Sequence, residues 1–186
     1  MLGTNFNTGG ANIINLQLGA ATGLGLYVLI TALTPVSGAH FNPVVTLAAW
    51  MGRAIGGRGA CIHVAAQLAG AILGVWLAHF MSDLPLLQAS LQPRAGAGQL
   101  ASEVVATAGL LVTIAGFLRH APTQVPAGVG AYIAAAYWFT ASTSFANPAV
   151  TVARALTDTF AGIAPAHAPL FILAQLAGLG AGIALT

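Results

Sequence analysis

The residues best placed to do chemistry are two asparagines, each followed by proline: Asn42-Pro43 in SGAHFNPVVTLA and Asn147-Pro148 in SFANPAVTVA. Asparagine is a favoured helix N-cap, and proline suits the first helical position, where its missing N–H is no loss. Each pair therefore starts a helix, with Pro43 and Pro148 at its first position. The helix-like segments that follow, Asn42–Trp50 and Asn147–Asp158, are short, and about ten helical residues rise only about 15 Å, half the hydrocarbon thickness of a bilayer. The runs before them, Val36–Phe41 and Ala141–Ala146, read as non-helical; their backbone polar groups cannot face lipid and must be buried or line a wet cavity. The chemistry on offer is hydrogen bonding: amide donors on Asn42 and Asn147, carbonyls in the preceding runs, and two helix N-termini carrying about half a positive charge each. Such a constellation suits uncharged hydroxylic molecules and repels cations and protons.

The rest of the chain must hold these two pairs in place. Of 186 residues 58% are apolar and 4% charged, with no lysine, against about 25% charged in soluble domains, so this is a membrane protein. A net charge of +2 from five arginines is too sparse for nucleic acid binding. Five stretches reach or approach the length that crosses a bilayer: Asn12–Thr34, Gly59–Met81, Gln99–Leu118, Val125–Ala141 and Ala166–Thr186. Their many Gly, Ala, Ser and Thr residues suit close helix approach. The opening MLGTNFNTGG has neither a basic nor an apolar region of a secretory signal and reads as loop. Apart from Glu103, the charges fall between the spans. Arg53, Arg58 and Arg119 lie on one side, which their excess makes cytoplasmic, and Asp83, Arg94, Arg154 and Asp158 on the other.

The two Asn-Pro segments resemble each other. Ser37–Ala48 matches Ser142–Ala153 at six of twelve positions at a constant offset of 105, and AQLAG at Ala66–Gly70 recurs at Ala174–Gly178. The chain reads as an internal duplication within a single domain over 1–186, with a first repeat at 1–82 and a second at 99–186. Three spans separate the two copies, an odd number, so the second enters the membrane from the opposite face. The expected fold class is an all-α membrane protein, an inverted repeat of five transmembrane helices plus two re-entrant half-helices meeting N-terminus to N-terminus near the midplane.

SGAHFNPVVTLA and SFANPAVTVA, each followed by AQLAG, resemble the major intrinsic protein family, the aquaporins and aquaglyceroporins. The resemblance implies a family fold of six spans plus two re-entrant half-helices, a homotetramer with one pore per subunit, and a multi-pass protein of the cell's inner or plasma membrane. It implies that Asn42, Pro43 and Val44, with Asn147, Pro148 and Ala149, form the paired pore motif, Val44 replacing the usual alanine. The backbone carbonyls of Gly38, Ala39, His40 and Thr143 would line the pore, and Glu103, in the pattern Glu103-x-x-x-Thr107, would brace a re-entrant loop. The helix that should precede Asn12–Thr34 is missing from the sequence, which reads as a fragment.

A further departure bears on substrate. Most family members carry an arginine directly after the second Asn-Pro-Ala, at the outer constriction; here that position is Val150. By the same resemblance, counting from the asparagines puts the other constriction positions at Thr22, Ala135 and Ser144. A filter of Thr, Ala, Ser and Val is wider and less polar than a water-selective one. It favours glycerol-like polyols, urea and metalloid hydroxides such as arsenous acid, besides water, and resembles that of bacterial members associated with arsenic handling. Arg154, one turn after Val150, has two readings: a solvated ion pair with Asp158 at i+4, or a partial substitute for the missing filter arginine.

Other side chains read as structural. Cys61 is expected to be a buried small residue, His63 and His79 to pack near opposite ends of one span, and Tyr132, Tyr137, Trp138 and Phe139 to be packing or interface aromatics. No nucleophile–base pair, phosphate loop, metal-ligand spacing or cofactor motif is present, so neither catalysis nor a bound metal or cofactor is expected. The competing readings are an ion- or proton-coupled transporter, for which Glu103 is the one intramembrane acid, and a non-conducting fragment.

Overall fold

The computed structural model describes residues 9–186, with side chains from Ile13 onward; residues 1–8, most of the opening read as loop, lie outside that range. The described residues are all-helical: α1 (Gly9–Ser37), α2 (Pro43–Met51), α3 (Gly57–Met81), α4 (Ala97–His120), a 3-10 turn at Pro122–Gln124, α5 (Val125–Phe139), α6 (Pro148–Arg154) and α7 (Ala168–Ala184). Three of them, α1 from Ile13, α3 and α4, are long and apolar enough to cross a membrane, with 25, 25 and 24 residues. The last two expected spans form helices of 15 and 17 residues, shorter than the sequence suggests.

Small residues decide which helices meet. A Cβ on Gly23 of α1 would lie 2.6 Å from the carbonyl oxygen of Gly130 on α5, and one on Gly130 would lie 2.5 Å from that of Gly23. Across the bundle Gly178 of α7 meets Thr107 and Val104 of α4 in the same way. Without a hydrophobic drive between helices in lipid, such backbone approach supplies the packing. Between these two pairs lies a core of Ile30, Ala106, Leu110, Val129, Ile133 and Tyr137, against which Ala39 and Ala146 of the two inter-helical loops are buried.

Two boundaries next to the Asn-Pro segments also differ from the sequence reading. α1 runs through Pro35 to Ser37, and only then does Gly38, at φ +75°, turn the chain out, its N–H donating to Thr34 O at 2.9 Å. That is a left-handed helix end of the kind glycine favours. The second short helix stops at Arg154 rather than Asp158, because the chain beyond it is captured elsewhere: Ser90 N–H donates to Ala155 O and Ile163 N–H to Arg154 O. Cys61 is exposed, not buried. Its neighbours on α3, Ile62, Leu73, Leu77 and Phe80, are uncovered too, so the apolar character of this helix serves its outer face rather than a core.

Candidate functional site

Both asparagines cap their helices. Asn42 Oδ1 accepts from Val44 N–H at 3.0 Å, and Asn147 Oδ1 accepts from Ala149 N–H at 3.0 Å and Val150 N–H at 3.3 Å. The other end of each amide reaches across. Asn42 Nδ2 donates to the carbonyl of Ala146 at 2.7 Å, and Asn147 Nδ2 to that of Phe41 at 2.9 Å. An amide nitrogen has two hydrogens, so each asparagine keeps one for a visitor. The N-termini of α2 and α6 thereby face each other, locked by a reciprocal pair of bonds.

The loops before the two helices share an unusual backbone. Gly38, Ala39 and Phe41 have φ of +75°, +48° and +50°, and Thr143, Ser144 and Ala146, 105 positions on, have +61°, +47° and +46°. Left-handed conformations disfavour residues with a Cβ, so five of these six positions need external support. The second loop takes it from Glu103. Its carboxylate, fully buried on α4, accepts from Phe145 N–H at 2.9 Å and Ala146 N–H at 2.8 Å. Gln175 Nε2 on α7 donates to the same carboxylate at 2.7 Å and to Thr151 Oγ1 on α6 at 2.9 Å. On the first side Gln67 Nε2 of α3 donates to Thr46 Oγ1 at 2.9 Å, and His40 Nδ1 lies 3.1 Å from the same hydroxyl. His63 stands beside His40, ring centroids 5.2 Å apart.

A cavity of about 1110 Å³ runs along this axis, from Thr22, Tyr137, Val150 and Arg154 at one end, past Asn147, Asn42 and His40, to Met51, Leu118 and Thr123 at the other. Gly38, Ala39 and Ser144 line it as well. Pro43, Val44, Pro148 and Ala149 are buried behind it, Val44 packing on Leu111 and Leu179. Thr143 does not line it: its hydroxyl lies near Arg94 Nη1, at 3.5 Å. Nor does Ala135, which is exposed on the opposite side of α5. Two residues on, about 200° around a helix, Tyr137 takes the inward face. Tyr137, expected to be a packing aromatic, does pack in the core and borders the cavity as well; its hydroxyl lies 3.3 Å from Thr22 Oγ1. Tyr132 does pack, donating to Ala106 O at 3.0 Å, and His79 bridges Leu86 O and Thr157 Oγ1.

Two arginines border the outer end. Arg154 donates from Nη2 to the Tyr137 hydroxyl at 2.6 Å, and its guanidinium sits over the Phe145 ring at 4.3 Å. It does not pair with Asp158: α6 has ended, and Asp158 accepts from Leu91 N–H at 2.9 Å. Arg94, read only as a loop charge, is the residue that composition and spacing miss. Its Nε donates to Gly162 O at 2.7 Å, Nη1 to Ser142 O at 2.9 Å and Nη2 to Phe160 O at 3.1 Å, clamping three loops. Burial, and next the neighbouring Arg154 charge, pull the Arg94 guanidinium down to about 10, so it stays cationic at neutral pH. A lone charged residue in a loop otherwise free of charge between Asp83 and Glu103 was the available signal.

A helical bundle in which two half-helices point their N-termini at one another across a lined cavity belongs to a class of membrane channel. The sequence profile described as Major intrinsic protein matches residues 2–124, and the chain belongs to that family. It is 52% identical to aquaglyceroporin AqpS of Rhizobium meliloti (strain 1021) over 165 residues, 89% of this chain and 71% of that protein. It is 39% identical to aquaporin-2 of Rattus norvegicus over 106 residues, 55% of this chain but 35% of that protein, and 45% identical to rat aquaporin-5 over 69 residues, 37% and 26%. Members of the family are channels for water and small solutes rather than enzymes, and they are membrane proteins.

Proposed function

We propose that the cavity is a passive transmembrane pore that admits small neutral solutes, namely glycerol-like polyols, urea, metalloid hydroxides such as arsenous acid, and water, while excluding ions and protons. The observation that carries this is the reciprocal Asn42–Ala146 and Asn147–Phe41 bonding, which holds two positive helix ends and two spare amide donors against one path. A cation meeting that point is repelled by both dipoles, and a hydroxyl or carbonyl oxygen is bound. Thr22, Ser144 and Val150 on the cavity wall support a constriction wider than a water-selective one, Val150 leaving room that an arginine would fill. The likeness to a protein named an aquaglyceroporin points the same way. Proton coupling finds no support: Glu103 is held by three donors and does not border the cavity.

In this reading the chain is one channel domain of two inverted repeats, sits in the cell's inner or plasma membrane with Arg53, Arg58 and Arg119 cytoplasmic, and assembles as a homotetramer. The exposed apolar faces of α1 and α3, including Leu24, Val28, Leu73 and Leu77, suit contact with lipid or a second copy. The test is stopped-flow light scattering on proteoliposomes challenged with glycerol, arsenous acid and water gradients. Faster equilibration than in protein-free liposomes is expected for all three; equal rates would sink the pore.

A further inference from the structure

We infer that Arg154, one helical turn beyond Val150, supplies the cationic donor of the outer constriction and forms with Ser144 a subsite for an acceptor oxygen of the passing solute. This rests on the pore reading above. Arg154 is half-buried and lines the same cavity as Thr22, Ser144 and Val150.

The guanidinium is held in a fixed pose. Nη2 bonds the Tyr137 hydroxyl at 2.6 Å, that hydroxyl lies 3.3 Å from Thr22 Oγ1, and the rings of Phe145 and Tyr137 stand 4.3 and 5.9 Å from the guanidinium carbon. Aromatic faces hold a cation in place without neutralising it. No carboxylate neutralises it either, because Asp158 is engaged by Leu91 N–H and Gln88 contacts the backbone of the same residue.

The decisive feature is what remains unbonded. Arg154 Nη1 and Ser144 Oγ are both buried and have no hydrogen-bond partner among the described residues. Leaving such groups unpaired is costly, more so for a charged donor, and the cost vanishes when an outside molecule supplies the partner. Arg94 makes the contrast. Its guanidinium lies on the same Phe145 ring at 4.9 Å, yet Nε, Nη1 and Nη2 all have backbone acceptors. Arg94 is therefore spent on positioning, whereas Arg154 has a donor in reserve. A solute hydroxyl or carbonyl can accept from Nη1 while donating to or accepting from Ser144, and a cation meets an uncompensated positive charge.

The test compares wild type with Arg154→Ala, Arg154→Lys, Tyr137→Phe and Asp158→Asn in proteoliposomes, reading water and glycerol permeability by light scattering and proton flux with an enclosed pH dye. Arg154→Ala is expected to change the glycerol-to-water permeability ratio by about tenfold, the effect of one lost hydrogen bond to a charged group, and to raise proton flux above wild type, the dipoles at the asparagines remaining as the second barrier. Arg154→Lys should keep proton exclusion but shift the ratio, having lost the fork that Tyr137 orients. Tyr137→Phe should shift the ratio in the same direction as Arg154→Lys, and Asp158→Asn should keep the wild-type ratio. An Arg154→Ala protein with the wild-type ratio and wild-type proton flux overturns the inference. If that variant fails to assemble, an unchanged ratio in Arg154→Lys overturns it, as does an Asp158→Asn protein that behaves like Arg154→Ala. A wild type no faster than bare lipid instead overturns the pore reading itself, so the two failures are distinct.

Discussion

Gln175 and Glu103 meet deep in the bundle, Nε2 to Oε2 at 2.7 Å, and through that contact α7, α4 and the loop before α6 become one unit. The carboxylate has no solvent, yet three donors face it. Its place in the protein is to hold Phe145 and Ala146 in a backbone they would not adopt alone.

Glu103→Gln therefore has a defined consequence. The amide keeps one oxygen for the loop but turns an NH₂ toward a donor, so at least one charge-assisted bond is lost and a buried N–H is orphaned, about 2–5 kcal/mol together. A lower melting temperature in detergent and reduced permeability to every solute are expected. Applying a proton gradient should change neither wild-type nor variant solute flux; a gradient-dependent wild type would restore the coupled-transporter reading.

The cross-link between the two half-helices is equally specific. Asn42→Ala removes the cap on Val44 and strips Ala146 O of its donor, a loss of about 2–4 kcal/mol from the cap and the stranded carbonyl. Thermal denaturation in detergent should register it. An Asn42→Ala melting temperature equal to wild type would mean that the reciprocal bond does not hold the junction.

Glycine at the α1–α5 contact offers a control within one helix. Gly23→Val drives a side chain into the Gly130 carbonyl and should cost about 1–3 kcal/mol or part the two helices. Gly25, two residues on, has nothing within 4 Å of an added Cβ. Gly25→Ala should then leave stability unchanged or slightly raised, by at most about 1 kcal/mol. Comparing melting temperatures of the two separates close approach from general helix propensity.

Where the half-helices begin was legible because Asn-Pro acts locally: the cap bond spans two residues in each case. Where α6 ends was not. Arg94 captures the chain after it through the carbonyls of Phe160 and Gly162, 66 and 68 positions away, and Ser90 through that of Ala155, and no local pattern announces such partners. The same limit explains Ala135. Counting from Asn147 to α5 crosses the irregular stretch 140–147, whose rotation per residue is not fixed, so the count lands on the outer face and Tyr137 lies inward. Thr22, counted from Asn42 across the shorter irregular stretch 38–42, and Val150, three residues after Asn147 in the same helix, do reach the cavity. Gln67 and Gln175 stood in the open, in the repeated AQLAG, but a repeat marks a residue without saying what it touches.

Val150→Arg turns the constriction argument into a measurement. Position 150 lies in the first turn of α6, its N–H already bound to Asn147, and its side chain is on the cavity wall beside Thr22 and Ser144. An arginine there adds about four heavy atoms beyond a valine and a second cation four residues from Arg154, a like-charge pair that costs about 0.3–0.5 kcal/mol on a helix. The fold should tolerate that; the path should not. Glycerol, whose three carbons need the width that valine leaves, is expected to slow by about tenfold or more, while water passes at a rate close to wild type. Light scattering under opposed glycerol and sucrose gradients reads both. Undiminished glycerol flux in Val150→Arg would show that the narrowest point lies elsewhere along the cavity, and attention would move to Phe41 and the asparagines.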